Sequence, residues 1–351
     1  MKLPKIINIL LTYQCNLHCS FCWQNRYRYA DELTLIQVTK ILDEAYCIGI
    51  KNVNFWGGEP LLHKDIFKMI DYAKSLKMRC FIITNGLLVE KYAENIVNSG
   101  LDFLQISIDG LADQHDTIRS YQSLFIKIEN GIKKVNRLKR IFPLISSATV
   151  ILPNNYNILE QLVSYNFSIG FEAAFLQFLM AYNRKTIDMY KRLLQNKYGI
   201  EIDSIIYIDQ FEGYGLNKKQ FEAVCFQSQN MLAKWSNKVS IPTILKLSGD
   251  YKFYIQTEGS YPKDMTLGCQ NLLYKVNIMP NGDMVMCPDF PDFKIGNIFD
   301  SSLLQLWNSD HRLQFVSDFY AGHMLPICSK CCQLWEENAI GGFKGLVFND
   351  I

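Results

Sequence analysis

The sequence predicts an α/β protein: a partial barrel of six strand–helix units, followed by a small C-terminal domain with a β-hairpin and a helix. Three observations predict this fold class. Short apolar runs alternate with amphipathic helical segments over roughly the first half of the chain. Polar motifs follow the ends of several runs. Near the C-terminus, a second group of cysteines brackets a hairpin signal.

The strands and helices alternate strictly after the first apolar run. Thr34 and Gln37 predict a capping box for the first helix, residues 31–49, which Gly49 is placed to end. Strict alternation predicts parallel strands in a TIM-like sheet whose carboxyl ends share one rim. The predicted strands are residues 6–11, 52–56, 80–84, 103–108, 145–151 and 174–180; further helices are predicted at 65–76, before Gly100, after Ser123 as N-cap, and at 157–165.

Composition narrows the class of protein. The 351 residues are 49% hydrophobic and 20% charged, with a net charge of +2, which gives no electrostatic case for nucleic acid as a partner. The basic run at residues 133–140 has the spacing of a solvated helix face. No apolar segment approaches the roughly 20 residues of a membrane span, and no signal-peptide cleavage site is apparent, so we expect a cytoplasmic protein. Eleven cysteines then favour metal binding over disulfides.

Three cysteines follow the first strand in a CxxxCxxC spacing: Cys15, Cys19 and Cys22. Thiolates are the usual ligands of a 4Fe–4S cluster, which takes four ligands, so three would leave one iron open. A zinc site is the alternative, because structural zinc takes four ligands and His18 lies inside the same loop. The spacing favours iron–sulfur but leaves zinc open.

Three further motifs follow predicted strands: Gly57-Gly58-Glu59-Pro60, Thr84-Asn85-Gly86 and Ser107-Ile108-Asp109-Gly110. Glycines at a strand end allow a ligand to approach the backbone closely, and Glu59 adds a carboxylate. Each motif alone is equally consistent with a turn. Because all of them fall on the rim that carries the cysteine loop, their convergence predicts a single site.

The order of CxxxCxxC, GGEP and SIDG on this scaffold resembles that of radical S-adenosylmethionine enzymes over roughly residues 5–180. The resemblance implies that Cys15, Cys19 and Cys22 hold three irons of a 4Fe–4S cluster. It also implies that S-adenosylmethionine chelates the fourth iron and is cleaved reductively to a 5′-deoxyadenosyl radical, which removes a hydrogen atom from the substrate. An external electron donor such as flavodoxin or ferredoxin is implied as a partner.

The resemblance also implies a set of cofactor-binding residues. The GGEP backbone and the Glu59 carboxylate would meet the cofactor's ammonium group. Ser107 and Arg119, the latter in the run HDTIR, are candidates for its carboxylate, Arg119 because a guanidinium can bind that group bidentately. Thr84 and Asn85 are candidates for contact with the ribose or adenine. Several members of the set are also ordinary strand-end and turn residues. The full set is Gly57, Gly58, Glu59, Pro60, Thr84, Asn85, Ser107, Asp109 and Arg119.

The late cysteines predict a second cluster. Asn281-Gly282 marks a hairpin between residues 272–279 and 283–286, with Cys269 before it and Cys287 after it. A helix at 303–307 and the CxxC pair Cys328 and Cys331 follow. This region resembles the twitch module, a shortened SPASM domain, and implies one auxiliary 4Fe–4S cluster on these four cysteines. Zinc is the alternative, and Cys332 is left out of the ligand set.

The predicted domains are residues 1–182, 183–268 and 269–351. The middle segment matches no recognised pattern, but it contains a predicted helix at 218–235 capped by Asn217. Related epimerases return a hydrogen atom from a cysteine, and Cys225 or Cys80 could do so here. A core thiol is the alternative for Cys225, since it lies on an apolar stripe.

The substrate is the least determined part of the prediction. Only fourteen residues precede Cys15, too few for the leader-binding domain of many peptide-modifying members. We therefore expect dehydrogenation or epimerisation of a small carbohydrate-like substrate, an aminocyclitol or a sugar. One alternative is peptide maturation by epimerisation or cross-linking. Another is a non-catalytic iron–sulfur or zinc protein.

Overall fold

The computed structural model describes residues 3–22, 24, 31–202, 214–242, 245, 251, 254, 267–322, 325–331 and 334–336. The strands are β1 (Ile6–Leu10), β2 (Asn52–Trp56), β3 (Arg79–Thr84), β4 (Phe103–Ser107), β5 (Leu144–Ile151), β6 (Ala173–Phe178), β7 (Val239–Ser240), β8 (Leu267–Cys269), β9 (Lys275–Ile278), β10 (Asp283–Val285), β11 (Lys294–Asn297) and β12 (Leu334–Glu336). The helices are α1 (Leu35–Cys47), α2 (Ile66–Ser75), α3 (Ala93–Asn98), α4 (Asp113–Arg119), α5 (Leu124–Leu138), α6 (Leu159–Ser168), α7 (Arg184–Tyr198), α8 (Lys218–Trp235), α9 (Gln270–Leu273), α10 (Leu303–Trp307) and α11 (Asp310–Tyr320).

The predicted α/β partial barrel is confirmed. Strands β1 to β6 pair in parallel in sequence order, and β7 continues the sheet beyond β6. The capping boxes at Thr34 and Asn217 are both formed. The first helix begins at Leu35 rather than at residue 31, because residues 31–33 instead lie along the end of β1, where Thr12 bridges Glu32 and Leu33 N donates to Leu11 O at 3.0 Å.

The C-terminal hairpin extends the barrel sheet. Strand β9 pairs in parallel with β1, β10 pairs antiparallel with β9, and β11 pairs antiparallel with β10. The described sheet therefore has ten strands in the order β11-β10-β9-β1-β2-β3-β4-β5-β6-β7. The expected hairpin strand at 272–279 starts only at Lys275, because residues 270–273 form α9. The predicted domain boundary at residue 269 stays a prediction.

A row of asparagines joins the hairpin to the barrel. Asn54 Nδ2 donates to Asn8 Oδ1 at 3.2 Å, and Asn8 Nδ2 donates to Asn277 Oδ1 at 2.8 Å. The three residues are register partners on β2, β1 and β9. Ile7 and Ile9, on the other face of β1, pack into the main apolar core with the outer helices. Polar groups thus line the inner face of the sheet at this level.

Two apolar clusters cover the sheet from outside. The main core includes buried residues of α1, α2, α3 and α5, and a second cluster joins β5, β6 and β7 to α6 and α8. Ser123 precedes α5 as expected, but it has a φ of +62° and its side chain makes no capping bond. The Asp116 carboxylate instead accepts hydrogen bonds from the N–H groups of Ser123 and Phe125. No helix within the described ranges is long and apolar enough to cross a membrane.

Candidate active site

The cysteine loop is tied at its base to the GGEP turn. Beyond the ends of β1 and β2, Gly58 N donates to Thr12 O at 2.7 Å and Glu59 N donates to Gln14 O at 2.8 Å. The two chains therefore continue to pair after their strands end. This pairing fixes where the loop that carries Cys15 starts relative to GGEP.

The two glycines of GGEP are required by this close approach. A Cβ at Gly57 would lie 2.4 Å from Thr12 O, and one at Gly58 would lie 2.1 Å from Gln14 O. Gly57 also has a φ of +145°, which a side chain disfavours. From the sequence, the close approach expected at these glycines is that of a ligand. In the structure, the approaching backbone is the protein's own segment that enters the cysteine loop.

The Glu59 carboxylate is fully buried and bonded within the protein. It accepts hydrogen bonds from Thr84 Oγ1 and Asn85 N, both at 2.7 Å, and from Leu61 N at 3.0 Å. Burial raises the pKa of this carboxyl group to about 7, although the three donors act to lower it. The resemblance implies that this carboxylate meets the cofactor's ammonium group. In the structure, the hydrogen bonds of the carboxylate hold GGEP against the TNG motif.

Asn85 continues this connection to the cysteine loop. Its Nδ2 group donates to Asn16 Oδ1 at 2.8 Å and lies 3.6 Å from Cys15 Sγ. Cys15 Sγ also accepts a hydrogen bond from Leu17 N at 3.4 Å. The predicted convergence of these motifs is therefore seen as a continuous set of contacts from GGEP through TNG to the first cysteine.

On the other side of the loop, Arg119 faces Cys19. The guanidinium Nε lies 2.6 Å from Asp109 Oδ2, and Nη1 lies 4.0 Å from Cys19 Sγ. The Phe21 ring lies 5.3 Å from the guanidinium carbon. SIDG and HDTIR are thus brought to the same loop, with Arg119 as its neighbouring cation. The structure pairs Arg119 with Asp109 through Nε, while Nη1 lies on the side of the Cys19 thiol.

The three thiols of the loop suit a group that carries positive charge. Burial raises the pKa of Cys15 and Cys19, and it raises that of Cys22 to about 11. Charge on a neighbouring thiol adds to this shift at two positions: Cys19 raises the pKa of Cys15, and Cys19 and Cys15 raise that of Cys22. A coordinated metal deprotonates such thiols outright, because its charge offsets both burial and mutual repulsion. The residues present therefore fit an iron–sulfur cluster.

Two residues of this site were missed from the sequence. His115 is fully buried and its Nδ1 accepts from Asp109 N at 3.0 Å, while Asn155 Nδ2 donates to Asp109 O at 2.7 Å. Burial first, and Arg119 second, lower the pKa of His115 well below its ordinary value, so the ring is neutral. His115 is the first residue of the HDTIR run, so its place beside Arg119 in the sequence could have indicated it. Asn155 follows β5 outside any motif, and nothing in the sequence indicated it.

Of the remaining predicted site residues, two lie on the rim formed by the strand ends and the two candidate hydrogen-donor cysteines lie away from it. Ser107 ends β4, and Pro60 begins a buried 3-10 turn after Glu59. Cys225 packs against the second apolar cluster, away from these motifs, and burial raises its pKa to about 11. Cys80 is buried near the start of β3, at the opposite end of that strand from TNG. The structure does not bring either thiol to the strand-end residues.

The four late cysteines line one cavity. Cys269, Cys287, Cys328 and Cys331 all border it, and most of the other lining is aromatic or aliphatic. Cys269 Sγ accepts backbone hydrogen bonds from residues 271 and 272 at the start of α9. Burial raises the pKa of Cys287 and Cys328, and the thiols add to this by their proximity. Cys332 lies outside the described residues.

Two protein-family models match the chain. Residues 9–165 match the model of the radical SAM superfamily, and residues 269–332 match SPASM, an iron–sulfur cluster-binding domain. The chain belongs to the radical SAM superfamily. It combines a radical SAM region with a C-terminal SPASM domain, the iron–sulfur cluster-binding module.

Curated relatives match only part of the chain. SkfB of Bacillus subtilis, a sporulation killing factor maturation protein, is 31% identical over 150 residues, which are 42% of this chain and 36% of SkfB. Fe-coproporphyrin III synthase of Methanosarcina barkeri is 30% identical over 125 residues, which are 35% of this chain and 31% of that protein. The chain spans about a third of the length of these two relatives.

Solved structures match over most of the chain. Streptococcus suis SuiB bound to its precursor peptide SuiA gives a TM-score of 0.68 at 18% identity, covering 94% of this chain and 71% of SuiB. The enzyme anSMEcpe with AdoMet and the Kp18Cys peptide gives 0.64 at 17% identity, covering 97% and 93%. At these identities the likeness establishes the fold.

Proposed function

We propose that Cys15, Cys19 and Cys22 bind three irons of a 4Fe–4S cluster whose fourth iron takes S-adenosylmethionine. The observation that carries this proposal is the contact network of the strand-end motifs, which joins GGEP to the cysteine loop on one side and Arg119 to Cys19 on the other. When bound, the cluster and S-adenosylmethionine supply hydrogen-atom abstraction through reductive cleavage of the sulfonium, with flavodoxin or ferredoxin as the electron donor.

The chain's own groups then bind and orient the cofactor. Because the Glu59 carboxylate is bonded internally, the backbone carbonyls of the GGEP turn are the acceptors that we assign to the cofactor's ammonium group. Arg119, oriented by Asp109 through Nε, is the cation for its carboxylate, with Ser107 nearby on β4. We assign the ribose and adenine to the rim near Thr84 and Asn85, whose side chains act chiefly in shaping that rim.

We further propose a peptide as the substrate. What supports this is the likeness over most of the chain to SuiB and anSMEcpe, solved with bound peptides, together with the 31% identity to SkfB. The mass of the product distinguishes epimerisation from cross-linking or dehydrogenation. The prediction of a small carbohydrate-like substrate stays a prediction.

Anaerobic reconstitution tests whether the protein cleaves S-adenosylmethionine. The reduced protein should convert S-adenosylmethionine to 5′-deoxyadenosine, and Cys19→Ala should lose at least 100-fold of this activity because the cluster loses a ligand. Cys47→Ala, which removes an exposed thiol at the end of α1, is the matched control and should keep full activity. A reduced, iron-loaded wild type that yields no 5′-deoxyadenosine would leave only the non-catalytic alternative.

Deuterium transfer identifies the substrate class. Peptides and aminocyclitols carrying deuterium at carbon are incubated in turn with the enzyme, and 5′-deoxyadenosine is examined for the label. A product that has two hydrogens fewer than the substrate indicates oxidation or cross-linking. A product of unchanged elemental composition that has taken up one deuterium from D2O indicates epimerisation. Cys225→Ala should abolish epimerisation only if that thiol returns the hydrogen. Transfer from aminocyclitols and not from peptides would overturn the peptide proposal.

For the second site we propose one auxiliary 4Fe–4S cluster on Cys269, Cys287, Cys328 and Cys331. The observation behind it is that all four thiols border one cavity. Two 4Fe–4S clusters give about eight irons and eight sulfides per chain. The double substitution Cys269→Ala and Cys287→Ala should halve both numbers. Zinc in wild-type protein, with iron near four, would contradict the assignment.

A further inference from the structure

The cavity of the four late cysteines contains two polar side chains besides the thiols. Among the described residues that line it, all the others are aliphatic, aromatic or methionine; the two exceptions are Tyr190 and Asn271. Polar groups in an apolar shell are costly unless they find a partner. These two side chains are therefore candidates for direct contact with whatever occupies the cavity.

Tyr190 is the better placed of the two. It lies in the middle of α7 with 1% of its surface exposed, and its ring packs edge-on against Phe290 at 5.8 Å between centroids. Cys287 and Cys328 line the same cavity, and a phenol hydroxyl is a hydrogen-bond donor. Tyr190 is therefore placed to donate to a group that these thiols hold in the cavity.

Helix α7 is anchored close to the cysteines at its beginning. The Tyr182 hydroxyl, just before the helix, donates to the carbonyl of Ile327, the residue preceding Cys328. The Tyr182 ring also packs on Phe290, with centroids 6.0 Å apart. Two tyrosines and one phenylalanine thus join α7 to the CxxC turn, which holds Tyr190 at a fixed place beside the cavity.

We propose that the Tyr190 hydroxyl donates a hydrogen bond to a sulfur of the auxiliary cluster and thereby raises its reduction potential. The inference rests on the proposed auxiliary cluster. Reduction adds negative charge that is spread over the sulfurs, so a donor stabilises the reduced form more than the oxidised form. Tyr190 is a positioning residue in this sense, since it would tune the cluster without being a ligand.

The test isolates the auxiliary cluster. In a Cys15→Ala, Cys19→Ala, Cys22→Ala background, full-length protein is reconstituted with iron and sulfide and titrated electrochemically with detection by electron paramagnetic resonance. Tyr190→Phe removes only the hydroxyl and keeps the contact with Phe290. Tyr198→Phe is the matched control on the same helix, because its hydroxyl bonds to Asp318 at 2.8 Å and it does not line the cavity.

With unchanged iron content, Tyr190→Phe should lower the ratio of reduced to oxidised cluster at a fixed potential about fivefold, or about 40 mV at 59 mV per decade. The coupling of one exchangeable proton to the reduced cluster should also disappear. Tyr198→Phe should change neither. An unchanged potential in fully loaded Tyr190→Phe would overturn this inference alone. Failure of the triple-alanine background to bind iron would overturn the auxiliary cluster itself.

Discussion

Arg119 Nε lies 2.6 Å from Asp109 Oδ2 in a setting where Asp109 is completely buried. Asp109 Oδ1 accepts a further hydrogen bond from Val150 N at 2.7 Å, so β4, β5 and α4 meet at this carboxylate. A buried guanidinium needs such a partner, because an unpaired buried charge is strongly unfavourable. Asp109 therefore fixes the position of the guanidinium beside Cys19 and offsets the free-energy cost of burying its charge.

Asp109→Asn should destabilise the protein by about 3 kcal/mol, since it leaves the Arg119 charge buried without a counter-ion. Chemical denaturation at neutral pH, with the same cluster loading in both proteins, measures the loss. The double variant Asp109→Asn with Arg119→Gln should lose less than the sum of the two single variants. Additive losses would show that the two side chains do not act as a pair.

Glu59 predicts a specific pH dependence. Its pKa is about 7 in the folded protein against an ordinary value of 4.5, so the folded state binds the proton more tightly. The free energy of unfolding should therefore fall as the pH rises from about 4.5 to about 7, and level off above that, by roughly 3 kcal/mol in all. The Glu59→Gln variant lacks this titration and serves as the reference.

The measurement is the difference in unfolding free energy between wild type and Glu59→Gln at pH 5, 6, 7 and 8. The free energy of unfolding of wild type should fall steadily relative to that of Glu59→Gln from pH 5 to pH 7. A difference that does not vary with pH, or one that moves in favour of wild type as pH rises, would contradict the raised pKa. The three hydrogen bonds to the carboxylate would then outweigh its burial.

Local signals in the sequence predicted local structure well. The capping boxes of α1 and α8 depend on residues three apart, and Thr34 and Asn217 are the N-caps as predicted, although α1 begins four residues after the predicted start at residue 31. The shared rim followed from topology alone. The partners of individual side chains did not, because they depend on distant contacts: Glu59 meets Asn85, 26 residues away, and Cys19 meets Arg119, 100 residues away.

The place of the C-terminal hairpin was likewise beyond local reasoning. Asn281-Gly282 predicts the turn, but nothing near it indicates that β9 lies beside β1. The contact that records this neighbourhood joins Asn8 to Asn277, 269 residues apart. An asparagine between apolar residues in both strands is the one trace of it in the sequence. Such a residue reads equally well as a polar interruption of a strand, so it carried no prediction.

Gly58→Ala should disrupt the approach of GGEP to the cysteine loop. The added Cβ would lie 2.1 Å from Gln14 O, and backbone cannot yield there without losing the bond between Glu59 N and Gln14 O. We expect a destabilisation of about 2 kcal/mol and at least a tenfold loss of S-adenosylmethionine cleavage. Gly215→Ala, where a Cβ meets nothing within 4 Å, is the control and should be nearly neutral. Equal behaviour of the two variants would remove the steric explanation.

Arg312 links the stability of the C-terminal region to Cys269. Its guanidinium is 2% exposed, lies over the Trp307 ring at 3.3 Å, and donates to the carbonyls of Trp307 and Leu272. Those carbonyls stand at the ends of α10 and α9, where a cation is favoured. Burial lowers the pKa of Arg312 to about 10, so it stays charged at neutral pH. Since α9 directly follows Cys269, Arg312 holds the backbone of this proposed ligand in place.

Arg312→Met keeps most of the volume but leaves both carbonyls without their donor, which should cost about 2–3 kcal/mol. The variant should reconstitute with about four irons per chain rather than eight, because only the auxiliary site loses its geometry, and S-adenosylmethionine should still be cleaved. Iron and sulfide analysis beside the cleavage assay separates these effects. Arg137→Met, on the exposed side of α5, should retain all eight irons. A fully loaded Arg312→Met protein would mean that α9 keeps its place by apolar packing alone.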